Sequence, residues 1–131
     1  ILGAFVSGLD AGRIYQTWPM MGNSYLPNDL SFNRLTNIIE FSNHSLVQFY
    51  HRNLAYLIVF YAIMLTIFIY KNKLIYLYQP LKILLLILFA QAGLGVFTLI
   101  TNLNIFLASA HQITSVFLIF SALNLYFLRA K

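Results

Sequence analysis

The fold is decided by the longest uncharged stretch of the chain, which reads ILLLILFAQAGLGVFTLITNLNIFLASAHQITSVFLIFSALNLYFL over residues 83–128. These 46 residues contain no Asp, Glu, Lys or Arg. A transmembrane helix needs about 20 residues, so the stretch is long enough for two spans. The polar cluster Thr101-Asn102-Leu103-Asn104 in its middle predicts the turn between them. We therefore expect two membrane-crossing helices, at 81–100 and 106–128.

The composition of the whole chain indicates the same environment. Of the 131 residues, 60% are hydrophobic and only 8% are charged, whereas soluble domains are about a quarter charged. A second uncharged run, at 53–70, extends back to residue 46 and predicts a third span. Residues 1–9 are apolar but too short to span, and we interpret residues 1–12 as the end of an earlier helix. The predicted fold class is all-α, a polytopic membrane helix bundle with three full transmembrane helices (46–70, 81–100 and 106–128), the end of a fourth (1–12) and an outer loop (13–45).

The charges predict how the bundle is oriented. Residues 1–52 carry three bases and three acids, whereas residues 53–131 carry five bases and no acid. Bases accumulate on the cytoplasmic or matrix side of spans, and three alternating helices place all five on one side. The 13–45 loop then lies outside, with Tyr15, Trp18 and Tyr25 as interfacial anchors. The bases flank apolar runs, which favours the lipid bilayer over nucleic acid as a partner; they are Lys71, Lys73, Lys82, Arg129 and Lys131.

Two histidines lie inside predicted spans at matched depth. His51 is five residues past Leu46, and His111 is five residues past Phe106, so each lies about 7.5 Å along its helix. The two helices run in the same direction, because one helix separates them in the chain. Both imidazoles are therefore expected near the outer face. An iron macrocycle held between two neutral imidazoles requires such a pair.

Small residues follow both histidines on the same helix face. Ala55 and Ser115 come four residues later, and Ala62 and Ala122 come eleven residues later, which predicts a groove below each imidazole. The alternative is two unrelated histidines, each hydrogen-bonded to a neighbouring helix. Zinc is less favoured as the metal, because the chain has no Cys and neither helix contains an acid.

Polar residues beside the pair have two interpretations. Arg52 either pairs with an outward-directed haem propionate or acts as an ordinary interfacial anchor. Gln112 is a weaker hydrogen-bonding candidate, His44 is expected to be a solvated loop residue, and Gln91 requires an interhelical partner. No nucleophile–base pair, phosphate loop or pair of carboxylates appears in the sequence, so any chemistry would depend on a bound redox cofactor.

Short local patterns predict close contacts. Asp10 and Arg13, three residues apart, predict a local ion pair or cap. Small residues spaced four apart predict close helix approach; they are Gly3, Ser7 and Ala11, and Gly8 and Gly12, with Gly93 and Gly95 interpreted similarly in the third helix.

Four motifs occur in order along the chain, GAFVSGLDAGRIYQTWPMMG (residues 3–22) followed by Pro27, then VQFYHR (47–52), QAGLGVFTL (91–99) and LASAHQ (107–112). Together they resemble the C-terminal half of the heme A synthases, a family of membrane enzymes of cytochrome c oxidase assembly, in its proteobacterial and mitochondrial form. The sequence departs from the family pattern at Gln16, where Asn is usual, and at Asn104 and Phe106, where prolines are usual.

The resemblance implies an eight-helix oxidoreductase of two pseudo-repeated four-helix halves, which oxidises a methyl group of heme O to the formyl group of heme A. This chain would be the C-terminal half, holding haem b with His51 and His111 as axial iron ligands. The resemblance assigns it no catalytic residue, because the substrate site belongs to the N-terminal half.

The implied partners are that N-terminal half or a companion chain, the supplier of heme O and the cytochrome c oxidase assembly machinery. The implied location is the bacterial inner membrane, with the mitochondrial inner membrane as the alternative. Two other functions stay open, a non-enzymatic membrane b-type cytochrome that relays electrons and an inactive gene fragment.

Overall fold

The computed structural model of the chain describes residues 2–29 and 42–129. Over these ranges every regular element is helical, which confirms the predicted all-α class. Two short 3-10 turns connect the helices, at Ala11–Arg13 and Ile75–Leu77. The α-helices are α1 (Leu2–Gly8), α2 (His44–Lys71), α3 (Tyr78–Ile100) and α4 (Ile105–Arg129).

The helices α2, α3 and α4 are long and apolar enough to cross a membrane, as predicted. α2 begins two residues before the predicted 46–70, because the Asn43 side chain accepts a hydrogen bond from the Leu46 N–H at 3.1 Å and caps the helix. His44, expected in the outer loop, is therefore the first residue of α2, where it is exposed. Residues 30–41 of the predicted loop, and Lys131, lie outside the described ranges.

The turn between α3 and α4 is held by main-chain and side-chain hydrogen bonds. Asn102 and Leu103 adopt left-handed conformations, with φ of 54° and 59°. The Leu103 N–H donates to the Thr98 carbonyl at 2.9 Å, which closes the end of α3. The Asn104 side chain accepts from the Phe106 N–H at 3.0 Å and caps α4. A capping amide thus starts α4 at the position where the related family usually has a proline.

The membrane-spanning helices are packed unevenly. α3 and α4 pack against each other along the hairpin, whereas α2 packs on α1 and α3 and makes few contacts with α4. A buried apolar cluster joins all three spans near the end where the bases of α2 and α4 lie. Its members are Ile69, Leu77, Leu81, Leu84 and Leu125.

Helix α2 is longer than the hydrocarbon core of a bilayer is thick. Its 28 residues make a helix about 42 Å long, against a hydrocarbon thickness of about 30 Å. The first turn is buried not by lipid but by the chain itself, since Ser45, Leu46 and Gln48 are at most 2% exposed. The covering segment is residues 11–29. His51 follows this covered turn directly on α2.

Candidate functional site

The structure brings the two intramembrane histidines together. The ring centroids of His51 on α2 and His111 on α4 are 6.4 Å apart, and the ring planes are inclined at 87°. Both residues are partly buried. Metal–imidazole bonds are about 2 Å long, so two imidazoles on opposite sides of one iron have centroids about 6 Å apart. The separation of the pair fits an iron held between two histidines.

An apolar cleft lies beyond the pair, between α2, α3 and α4. Ala62 and Ala122, the small residues eleven positions after the histidines, are both on its wall. The cleft exists because α2 and α4 make few contacts with each other. Among the described residues, no group of three His, Cys, Asp or Glu side chains could hold a metal ion. A metal at the pair would therefore need ligands from elsewhere, which the nitrogens of a macrocycle can supply.

His111 is fastened to α3. Its Nδ1 lies 3.0 Å from the backbone carbonyl oxygen of Gln91, and its Nε2 lies 3.5 Å from the side-chain Nε2 of Gln91. The interhelical partner that the sequence requires for Gln91 is thus His111. A Cβ atom at Gly95 would lie 2.9 Å from Cε1 of the same ring. The close approach of the imidazole to α3 therefore depends on glycine at 95.

His51 contacts α1 on its other side. A Cβ atom at Gly3 would lie 3.5 Å from Cε1 of His51, which is an ordinary van der Waals distance. The predicted close approach of the first helix is thus directed at the histidine. Gln112 is exposed, and its side chain makes no hydrogen bond with any described residue. Its role as a hydrogen-bonding residue of the site stays a prediction.

Arg52 holds the outer segment onto α2. Its Nη1 donates to the carbonyls of Thr17 (2.8 Å) and Met20 (3.2 Å), and its Nη2 donates to the carbonyl of Tyr15 (2.9 Å). The Gln48 side chain donates to the same Tyr15 carbonyl at 2.8 Å. We call residues 15–29 with these contacts the outer clasp. The contacts favour an anchoring role for Arg52, directed at the chain itself, and its pairing with a propionate stays a prediction.

Asp29 closes the outer clasp from the other side. Its carboxylate accepts hydrogen bonds from the Tyr15 hydroxyl at 2.8 Å and from the Ser45 hydroxyl at 2.5 Å. Desolvation raises the pKa of Asp29, but these two hydrogen bonds outweigh it and the pKa falls below its ordinary value. Desolvation, the hydrogen bond to Asp29 and the Asp29 charge together raise the pKa of Tyr15.

These shifts predict that the clasp loosens in acid. Since the pKa of Asp29 is lowered by folding, its stabilising contribution is present above the ordinary value of 3.8 and is lost as the pH falls through the lower folded value. Trp18, the only tryptophan, reports on the clasp, and its quenching by acrylamide should increase over that acidic range. Asp29→Asn should show increased quenching already at neutral pH. Equal quenching of the two proteins at all pH values would contradict this account.

Sequence reasoning did not identify the clasp, although a signal for it exists. Ser45, Gln48 and Arg52 are spaced three and four residues apart, which places them on one face of α2. Such a polar stripe at the start of an apolar helix indicates a covering segment. The partner atoms are backbone carbonyls, however, which no side-chain pattern reveals.

Comparison with known proteins identifies the family of the chain. The family model described as Cytochrome oxidase assembly protein, COX15-CtaA, matches residues 1–123. The chain belongs to this family. The resemblance to heme A synthases that the four motifs indicate is confirmed, and a multi-pass membrane protein follows from the family and the three spans.

Several relatives of this chain are heme A synthases. The heme A synthase of Pelagibacter ubique (strain HTCC1062) is 43% identical over 121 residues, covering 92% of this chain and 35% of that protein. The one from Wolbachia pipientis wMel is 44% identical over 128 residues, covering 98% and 34%. The one from Rickettsia prowazekii (strain Madrid E) is 32% identical over 127 residues, covering 97% and 38%.

The chain spans about a third of the length of the curated relatives that it matches. No solved structure matches it. The relatives therefore identify the family, and the two histidines with the cleft beyond them are the feature from which a function can be argued.

Proposed function

We propose that this chain is the haem b-binding C-terminal half of a heme A synthase, in which His51 and His111 are the axial ligands of the haem iron. The observation that carries the proposal is the 6.4 Å separation of the two imidazoles. An apolar cleft further along the same helices, which begins seven residues after each histidine, supports it. The names of the relatives support the reaction, oxidation of a methyl group of heme O to the formyl group of heme A.

Each part of the site has a physical role in this proposal. When bound, the haem accepts and passes on single electrons. His51 and His111 fix its position at the outer end of the spans. The cleft further along the spans is lined mainly by apolar side chains, which suit the faces of a macrocycle. The outer clasp, held by Arg52, covers the first turns of α2 next to His51 in the sequence. This half thereby serves as an electron relay for the oxidation of heme O in the other half.

The proposal also assigns a membrane and partners. The bases at the inner ends of the spans orient the chain with its outer clasp on the periplasmic face of the bacterial inner membrane, or on the intermembrane face in a mitochondrion. The partners are the N-terminal half, on the same polypeptide or a companion chain, the supplier of heme O and the cytochrome c oxidase assembly machinery.

The proposal can be tested by expressing the chain in membranes with and without an N-terminal heme A synthase half. We expect a reduced-minus-oxidised absorbance spectrum of a low-spin haem in both preparations, and conversion of heme O only with the N-terminal half. A chain that never acquires haem contradicts the cofactor assignment. A chain that binds and reduces haem but supports no conversion with any N-terminal half contradicts the enzyme assignment and favours a b-type cytochrome.

A further inference from the structure

Helix α3 has an opening on the face that meets His111. Gln91 and Gly95 are four residues apart, so they lie one above the other on the helix surface. The imidazole of His111 fills the position that a side chain at 95 would take, since a Cβ atom there would be 2.9 Å from Cε1. Through this opening the ring reaches the backbone carbonyl of Gln91, at 3.0 Å from Nδ1.

The carbonyl determines which nitrogen of His111 carries the proton. A backbone carbonyl only accepts hydrogen bonds, so in the neutral ring Nδ1–H must be the donor. The proton is then absent from Nε2, which keeps its lone pair. A lone pair on one nitrogen with a donor hydrogen bond on the other is the arrangement that orients a histidine for metal binding.

The Gln91 side chain interacts with the nitrogen that remains. Its amide nitrogen lies 3.5 Å from Nε2 of His111, at the limit of a hydrogen bond, while its Oε1 is buried without a partner among the described residues. The amide nitrogen can only donate, which suits a lone pair on Nε2 of His111. Iron bound at Nε2 would take the place of this weak interaction.

We propose that α3 positions His111 through its main chain: Gly95 admits the ring, the Gln91 carbonyl accepts the Nδ1–H hydrogen bond, and the Gln91 amide contacts Nε2 in the iron-free protein. This inference rests on the proposed function, in which the two histidines bind haem. Gly95 and the Gln91 carbonyl are positioning groups. Substitution of Gly95 should therefore weaken haem binding, because the main chain of α3 helps to bind the cofactor. Substitution of the Gln91 side chain should not, because that side chain takes no part in holding the haem.

The first test replaces Gly95 with alanine in the protein at its full length. The new methyl group pushes the ring away from the carbonyl, and loss of such a supporting hydrogen bond costs about 10–100-fold in metal affinity. We expect haem affinity to fall by this factor, and the reduction potential of any bound haem to rise because the imidazole becomes a weaker donor. The matched control is Gly93→Ala on the same helix, where a Cβ atom meets nothing within 4 Å, and its affinity and potential should equal the wild type.

The second test separates the Gln91 side chain from its carbonyl. Gln91→Leu keeps the backbone carbonyl and removes the amide, so the haem spectrum and potential should be retained and the affinity should not fall. If Gln91→Leu loses haem while Gly95→Ala retains it with an unchanged potential, the side chain is the partner and the proposal is wrong.

A third test does not depend on the folding of the Gly95 variant. In His111→Gly, added imidazole can bind iron with one nitrogen and donate to the Gln91 carbonyl with the other, whereas 1-methylimidazole binds iron but cannot donate. Imidazole should restore the low-spin spectrum at a concentration at least about 10-fold lower, and equal restoration overturns the proposal. Haem-free wild-type protein would instead contradict the proposed function itself.

Discussion

Replacement of either His51 or His111 by alanine is expected to remove the low-spin haem signal from the purified protein. The two rings are at a separation that suits one iron between them, and a methyl group cannot coordinate a metal. With one imidazole left, any haem that stays bound loses its second axial ligand and the low-spin state that two imidazoles impose. We expect haem occupancy to fall about 10-fold or more, as for loss of groups that support a metal site. The measurement is the reduced-minus-oxidised spectrum normalised to protein.

The chain offers a matched control for this experiment. His44 is an exposed histidine on the same helix, at the first residue of α2, and His44→Ala should leave the spectrum unchanged. If both His51→Ala and His111→Ala kept the wild-type low-spin spectrum, the ligand assignment would be wrong. Loss in His44→Ala as well as in the other two would indicate unfolding.

The depth of the histidine pair could be predicted from the sequence because it depends on quantities that the chain displays. The apolar runs fix where α2 and α4 begin, and the helical rise converts five residues into the same depth for His51 and His111. Of the small residues that predicted a groove, Ala62 and Ala122 line the cleft, whereas Ala55 and Ser115 do not. The helices begin slightly earlier than predicted, α2 by two residues because Asn43 caps it outside the apolar run, α3 by three and α4 by one.

The side chains that reach the pair could not be predicted in the same way. Gln112 makes no side-chain hydrogen bond with a described residue, so its role beside the pair stays a prediction. Gln91 was recognised only as a residue that requires a partner. α3 is apolar around its whole circumference, so the sequence does not fix which face it turns towards α4. The contact with His111 depends on that rotation.

The contacts of the outer clasp could not be predicted from the sequence, for a different reason. The hydrogen bonds of Arg52 join residues 32 to 37 positions apart, and their acceptors are carbonyls that every residue has. The sequence could therefore predict only that an arginine at this depth has an anionic or interfacial partner. The local ion pair of Asp10 with Arg13, at 3.7 Å, was predicted correctly because it depends on spacing within one turn.

Replacement of Arg52 by alanine is expected to detach the outer clasp from α2. Arg52→Ala removes the donors to three carbonyls of the outer clasp, and a hydrogen bond to a charged group contributes about 1.5–3 kcal/mol. Because these hydrogen bonds are partly exposed, we assign the lower end of that range, about 1.5 kcal/mol, to all three together. A free-energy difference of about 1.4 kcal/mol changes an equilibrium constant by a factor of ten. The detached fraction of the clasp should rise about 10-fold. Acrylamide quenching of Trp18, which is 48% exposed in the closed clasp, should increase accordingly.

Arg52→Lys separates the two interpretations of this residue. Lysine keeps the positive charge that a propionate would require, but its single ammonium group cannot reproduce the planar fork that donates to Tyr15, Thr17 and Met20. If Arg52 anchors the clasp, Arg52→Lys should increase Trp18 quenching nearly as much as Arg52→Ala, while Arg13→Ala, an exposed arginine of the same segment, should not change it. If charge alone matters, Arg52→Lys should quench like the wild type and retain its haem affinity, and the clasp would not depend on the guanidinium. A clasp that depends on the guanidinium fork would mean that the residue next to His51 is committed to holding residues 15–20 on α2, and is therefore not free to pair with a propionate.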